Sequence, residues 1–340
     1  MFVRPRVLSI LTTRRCTAAC DHCCVGASPA ANARIPVARI HGLIDEAKRV
    51  PTFERIVFTG GECFLLGREL DALVAHAHGL GLSTRVVSNG YWAVDARAAR
   101  KRVAAIRAAG LDEMMLSTGA FHQAFVPLAR VVAAARAAVD AGIATRISVE
   151  ACDQSGFDDG AIEAELGDAI AARRLVVERD PWIPDAGGRG AAALSHDRLL
   201  ADAKPFAGGC PAVLTVLAVT PDQQLTACCG YPLEELPALG IGSVAERALD
   251  DVLAGAPDDL FTMWLHVAGP AGIAGFVARY LPGYALPPQT ASICHACIVL
   301  QRDARAMAVL AEHAHELTHA VASDFVRLQD TFSLAAVTGL

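Results

Sequence analysis

Between Arg6 and about Pro184, short runs rich in β-branched residues alternate with alanine-rich amphipathic stretches. That alternation is how repeated β-α units around a parallel sheet read in sequence. Six units can be counted, with strands predicted at residues 6–11, 55–59, 84–88, 113–117, 145–149 and 175–178. Gly79, Gly110 and Gly142 each follow a periodic apolar segment and mark helix C-termini. The expected fold is therefore α/β, a partial (βα)6 TIM barrel. Such sheets place their chemistry where loops converge at the C-terminal ends of the strands, so residues following strands carry most weight.

The pattern changes at the Pro/Gly-rich residues 181–190 and 205–211. Residues 213–219 and 225–228 flank a Pro-Asp turn at 220–224 and read as a hairpin; helical spacing returns at 245–254 and 302–325, with a loop at 282–288. Three regions follow: a barrel over 1–190, a smaller α+β extension over 205–300 and a helical segment over 301–340. With 53% hydrophobic and 19% charged residues the chain buries a sizeable core and is not disordered. No apolar run is expected to approach a membrane span, and the residues before Cys16 lack a signal-peptide core, so a cytoplasmic protein is expected. A formal net charge of -6 without a Lys/Arg stripe excludes the basic surface that nucleic-acid binding uses.

Eleven cysteines cluster at short spacings, which in a chain without a secretory signal points to metal or redox chemistry rather than to disulfides. Directly after the first strand comes Cys16-Thr-Ala-Ala-Cys20-Asp-His-Cys23. Three thiolates leave one iron of a four-iron cluster open to a small molecule; a closed zinc knuckle would need His22 or Cys24 as a fourth ligand. At the end of the second strand stand Gly60-Gly61-Glu62, two glycines that admit close backbone approach and a carboxylate that can accept from an ammonium group.

Together, CxxxCxxC after strand one and GGE after strand two resemble the radical S-adenosylmethionine (SAM) superfamily, over about residues 6–190. The resemblance implies that Cys16, Cys20 and Cys23 hold a [4Fe-4S] cluster whose open iron chelates SAM, and that Glu62 receives the SAM ammonium beside Gly60 and Gly61. It further implies SAM contacts for Ser88 and Asn89 after strand three, for Ser117 after strand four, and for His22 near the adenine. The segment from Ser117 to His122 is similar to the family's SxDxxH, with Gly119 where aspartate is usual. His122 and Glu150, the latter on strand five, are the candidate catalytic side chains.

Cys210, Cys228, Cys294 and Cys297 resemble the twitch form of the SPASM auxiliary-cluster extension and imply a second, auxiliary [4Fe-4S] cluster, with Cys229 a rival to Cys228 and zinc an alternative metal. The family's usual glycine five positions before the second of these cysteines is Gln223 here. His315-Glu316-Leu317-Thr318-His319 is a literal HExxH, which on a continuous helix would present two zinc ligands and a base. The resulting expectation is a radical SAM enzyme that abstracts hydrogen from a ribosomally made peptide, served by an external one-electron donor such as flavodoxin or ferredoxin. The alternatives are a dehydrogenase of a sugar or aminocyclitol, a zinc metallopeptidase, and a non-catalytic iron–sulfur protein.

Overall fold

The computed structural model describes residues 4–151, 157–181, 208–228, 236–256, 259–288, 290 and 292–329. Six strands, β1 (Val7–Leu11), β2 (Arg55–Thr59), β3 (Ser83–Ser88), β4 (Glu113–Gly119), β5 (Ala144–Ala151) and β6 (Leu175–Pro181), pair in parallel and in chain order. Between them run α1 (Val37–Arg49), α2 (Arg68–Gly79), α3 (Ala96–Ala108), the short α4 (Ala120–Gln123) with α5 (Leu128–Asp140), and α6 (Gly160–Ala171). The strand period of two sorts the side chains. Leu8, Ile10, Ile56, Phe58, Val86, Met114, Leu116 and Ile147 are buried in one core with helical residues such as Leu43, Leu73, Ile106 and Val131.

The alternate positions include charge. Glu113 accepts hydrogen bonds from Arg55, Arg85 and Arg146, so that the carboxylate is compensated where it is buried. Arg55 and Glu113 open their strands. This ionic plug therefore lies towards the N-terminal ends of the strands and leaves the opposite mouth to the loops.

The hairpin expected at 213–228 is present as β7 (Val216–Val219) and β8 (Gln224–Thr226), but it does not stand apart from the barrel. β7 pairs in parallel with β1, and β9 (Gly240–Ser243) follows β8, giving one nine-stranded sheet in the order β6-β5-β4-β3-β2-β1-β7-β8-β9. The unpaired edge of β1 explains this, since its backbone donors and acceptors need a partner. Of the residues expected to carry the boundary, 182–190 and 205–207 lie outside the described residues.

A second core gathers α8 (Leu260–Val277), α9 (Ile293–Arg302), α10 (Ala304–His313) and α11 (Thr318–Gln329), through Trp264, Phe276, Ile298, Leu310 and Phe325; α7 (Leu249–Gly255) joins the first core. The C-terminal helices thus share a core with the extension instead of forming a segment of their own. The α8 run corrects the expectation about apolar runs: its 18 residues are long and apolar enough to cross a membrane by length and composition, and 61% of that window is buried inside the protein. Gly269, with φ 65, and Pro270 break α8 in its middle. A Cβ at Gly269 would come 2.3 Å from the Gly208 carbonyl oxygen, and Cys210 N–H donates to the Leu265 carbonyl at 2.8 Å. The kink is where the chain leading into β7 crosses the helix.

Candidate functional site

The first cysteine set lies on the loop between β1 and α1, folded back on itself by bridges between Thr13 and Arg34 and between Arg15 and Ser28. Cys23 N–H donates to the Cys20 carbonyl at 3.1 Å, closing a tight turn between two of the three thiols. Ala18 N–H reaches Cys16 Sγ at 3.4 Å and Ala27 N–H reaches Cys23 Sγ at 3.3 Å. Hydrogen bonds to sulfur stabilise thiolate ligands and tune cluster potential, so these donors fit an iron–sulfur group. Burial pushes the Cys16 thiol up to about 11, so loading the site must expel its proton.

Gly60 and Gly61 hold that loop in place. A Cβ on Gly60 would lie 2.5 Å from the Thr13 carbonyl oxygen, and one on Gly61 would lie 2.3 Å from that of Arg15. Gly61 N–H and Glu62 N–H donate to those same carbonyls at 2.5 and 3.0 Å. The close approach that the two glycines permit is thus made to the backbone entering the cysteine loop, where the sequence alone suggested a ligand.

Glu62 is fully buried and caps the 3-10 turn Cys63–Leu66 by accepting from Phe64 N–H. Its carboxylate also accepts from Ser88 Oγ at 3.0 Å and from Asn89 N–H at 2.9 Å. Burial raises its pKa to about 7 against the lowering pull of these donors. Asn89 Nδ2 donates to Thr17 Oγ1 at 3.1 Å and lies 3.6 Å from Cys16 Sγ. The ends of β2 and β3 are therefore tied to the cysteine loop by polar contacts. Ser117 Oγ donates to the Ser88 carbonyl at 3.5 Å, which extends this row to β4. Trp92, which the sequence did not single out, donates from Nε1 to Ser88 Oγ and stacks on Phe64. Its spacing of four from Ser88 was the only signal.

His22, His122 and Glu150 come together at the mouth. His122 Nδ1 lies 2.5 Å from Glu150 Oε1, and His22 Nε2 contacts the same oxygen. Phe121 stacks on His22 with centroids 5.0 Å apart, a neighbour the sequence did not identify. Gly119 and Glu150 are register partners on β4 and β5. Gly119 has φ 140, and a Cβ there would fall 1.6 Å from Glu150 Oε2. The Glu150 carboxylate therefore fills the space that a side chain at position 119 would enter. Burial raises the Glu150 pKa, but the two imidazoles outweigh it and leave the group below the ordinary glutamate range.

The second cysteine set lines one pocket: Cys210, Cys228, Cys294 and Cys297 with an apolar wall that includes Leu239, Leu265 and Pro270. Cys294 and Cys297 come from the first turns of α9, whose N-terminus Ser292 caps by accepting from His295 N–H. Burial pushes all three of Cys210, Cys294 and Cys297 up, the last to about 12, and their mutual repulsion as thiolates adds to it. Four such thiols in an apolar wall can ionise only against a compensating cation, as a metal or cluster provides. Cys229 lies outside the described residues. Cys24 packs into the second core beside this set.

The HExxH stretch is not one helix. His315 and Glu316 lie in the 3-10 turn Ala314–Leu317, and His319 belongs to α11, which removes the i, i+4 face that zinc would need. Glu316 accepts from Tyr280 Oη at 2.5 Å, and Tyr280 stacks on His313 with centroids 4.0 Å apart. The metallopeptidase reading falls with this geometry.

Residues 10–152 match the radical SAM superfamily. The chain is 27% identical over 173 residues to YydG of Bacillus subtilis (strain 168), which is named for peptide biosynthesis; the match takes in 50% of this chain and 53% of that protein. The chain thus spans about half the length of this curated relative. Among solved structures, anSMEcpe with bound AdoMet aligns with a TM-score of 0.51 at 12% identity, over 73% of this chain and 81% of that one. BtrN in complex with AdoMet and 2-DOIA aligns at 0.48 and 13% identity, over 77% and 87%. At 12% identity the likeness to anSMEcpe concerns the fold alone.

Proposed function

We propose that this chain, which carries a radical SAM domain over residues 10–152, is an enzyme of that chemistry acting on a peptide in natural-product biosynthesis. One observation carries the reading: the Cys16, Cys20 and Cys23 loop is clamped by Gly60-Gly61-Glu62 on one side and Asn89 on the other, at the C-terminal ends of β1 to β3. When bound, a [4Fe-4S] cluster and SAM supply an electron and a 5'-deoxyadenosyl radical that takes hydrogen from the substrate. The chain's own residues bind and orient. Cys16, Cys20 and Cys23 hold the cluster, Glu62 receives the SAM ammonium, Ser88, Asn89 and Ser117 line its polar side, and His22 flanks the adenine. Glu150 and His122, at the mouth, are placed to hold or move a substrate proton.

Cys210, Cys228, Cys294 and Cys297 hold an auxiliary [4Fe-4S] cluster in this reading, supported by their shared pocket. The peptide substrate is supported by the name of the relative YydG. An external flavodoxin- or ferredoxin-like donor supplies the electron. Anaerobically reconstituted protein with dithionite and SAM should form 5'-deoxyadenosine, and replacing Cys16, Cys20 and Cys23 by alanine should abolish it. Equal formation by the triple variant would remove the assignment.

A further inference from the structure

Glu62 and Glu150 are both buried carboxylates, and they differ in how they are satisfied. Glu62 accepts aligned hydrogen bonds from two backbone N–H groups and a hydroxyl. Around Glu150, two imidazole nitrogens crowd a single carboxylate oxygen, yet neither Glu150 oxygen has an aligned hydrogen bond. His122 Nδ1 and His22 Nδ1 are likewise buried without one. The nitrogen and oxygen atoms all lie within 4.8 Å of one another.

Two further features favour this grouping. The strand position beside Glu150 is Gly119, so the space the carboxylate occupies exists because no Cβ stands there. Phe121 stacks against the His22 ring, and His122 is carried on α4, which opens directly from Gly119. The orientation of both imidazoles is thus fixed by covalent neighbours and packing, as metal ligands require.

We propose that His22, His122 and Glu150 bind one divalent first-row transition ion, zinc being the simplest, at the mouth of the barrel. Two imidazoles and one carboxylate are a donor set suited to zinc or ferrous iron, and three protein ligands leave at least one position open. That open position faces the region where strand C-termini converge, so the ion would take an oxygen donor of the substrate, a carboxylate or a carbonyl. The proposal replaces the adenine and proton roles of His22, His122 and Glu150 in the functional reading and leaves those of Cys16, Cys20, Cys23 and Glu62 unchanged.

The test is zinc content by mass spectrometry after equilibrium dialysis of anaerobically reconstituted protein, comparing wild type with His122→Ala and Glu150→Ala. All three share every cysteine, so thiol-bound metal cancels in the difference. Wild type should retain one more zinc per chain than either variant, with an X-ray absorption shell for that zinc of nitrogen and oxygen at about 2.0 to 2.2 Å. Added zinc should raise the melting temperature of wild type only. A cooperative melt of each variant establishes that it is folded, and His122→Gln and Glu150→Gln provide the comparison if an alanine variant is not. Equal zinc in wild type and in a folded variant of either position overturns the proposal, as does a difference whose shell is sulfur.

Discussion

Glu62 concentrates the physics of the first site in one side chain. Burial lifts its pKa from 4.5 to about 7 even though Asn89 N–H, Phe64 N–H and Ser88 Oγ all stabilise the carboxylate. The folded value lies above the unfolded one, so the carboxyl's contribution to stability is fully present below about 4.5 and is lost as pH rises through about 7. SAM binding runs the other way, because an ammonium prefers the carboxylate. We expect calorimetric SAM affinity of the cluster-loaded protein to rise between about pH 6 and 8, with its midpoint near 7, and to level off beyond. Glu62→Gln should weaken binding roughly tenfold or more at pH 8, since a hydrogen bond to a charged group is worth about 1.5 to 3 kcal/mol, and should flatten the pH dependence. Parallel curves for both proteins would place the ammonium elsewhere. Glu62 itself was legible as a motif residue. The placing of the Glu150 carboxylate against Gly119 was not, because it depends on β4 and β5 lying in register, which a single strand's sequence does not contain.

At the scale of elements, the six barrel strands were legible because each is a short run, rich in β-branched residues in all but β4, ended by glycine or a polar turn, and each found boundary lies within three residues of its expected one. α8 was not legible. It is buried on most of its circumference, so it has no polar face to give it a helical period, and Gly269-Pro270 reads as a breaker in its middle. Gln223 shows the converse case, a departure from motif whose meaning only geometry reveals. Its φ is 57, in the left-handed region, at the turn where Gln223 N–H donates to the Thr220 carbonyl and joins β7 to β8. A non-glycine residue there costs about 1 to 2 kcal/mol, against about 0.4 to 1 kcal/mol of extra unfolded-state entropy for glycine. Gln223→Gly should therefore stabilise the protein by about 0.5 kcal/mol or somewhat more in urea titrations monitored at the second core. A loss of stability would mean that the Gln223 side chain contributes more than its strain.

Over the whole molecule, the two cysteine sets have different supports: the first lies on the loop between β1 and α1, and the second packs against the second core. The first loop is fixed by the ends of β2 and β3 through Gly61, Glu62 and Asn89, while the second pocket is walled by residues that flank the β7–β8 hairpin and by α8 and α9. Removing ligands from the second pocket should therefore leave the first loop's supports in place. Cys294→Ala with Cys297→Ala trims two thiols from a wall that is otherwise apolar, and the packing of Trp264, Ile298 and Phe325 behind it is retained. Iron in the reconstituted protein should fall from about eight to about four per chain, the content of one cubane. Formation of 5'-deoxyadenosine should continue, uncoupled from product, because the thiols of Cys16, Cys20 and Cys23 are untouched. Replacing His315 and His319 by alanine should change neither iron nor turnover, since both residues are exposed and neither lines the second pocket. If the cysteine pair instead abolishes SAM cleavage while iron stays near four, the β1–β7 pairing transmits more than support, and the two sites work as one electronic unit.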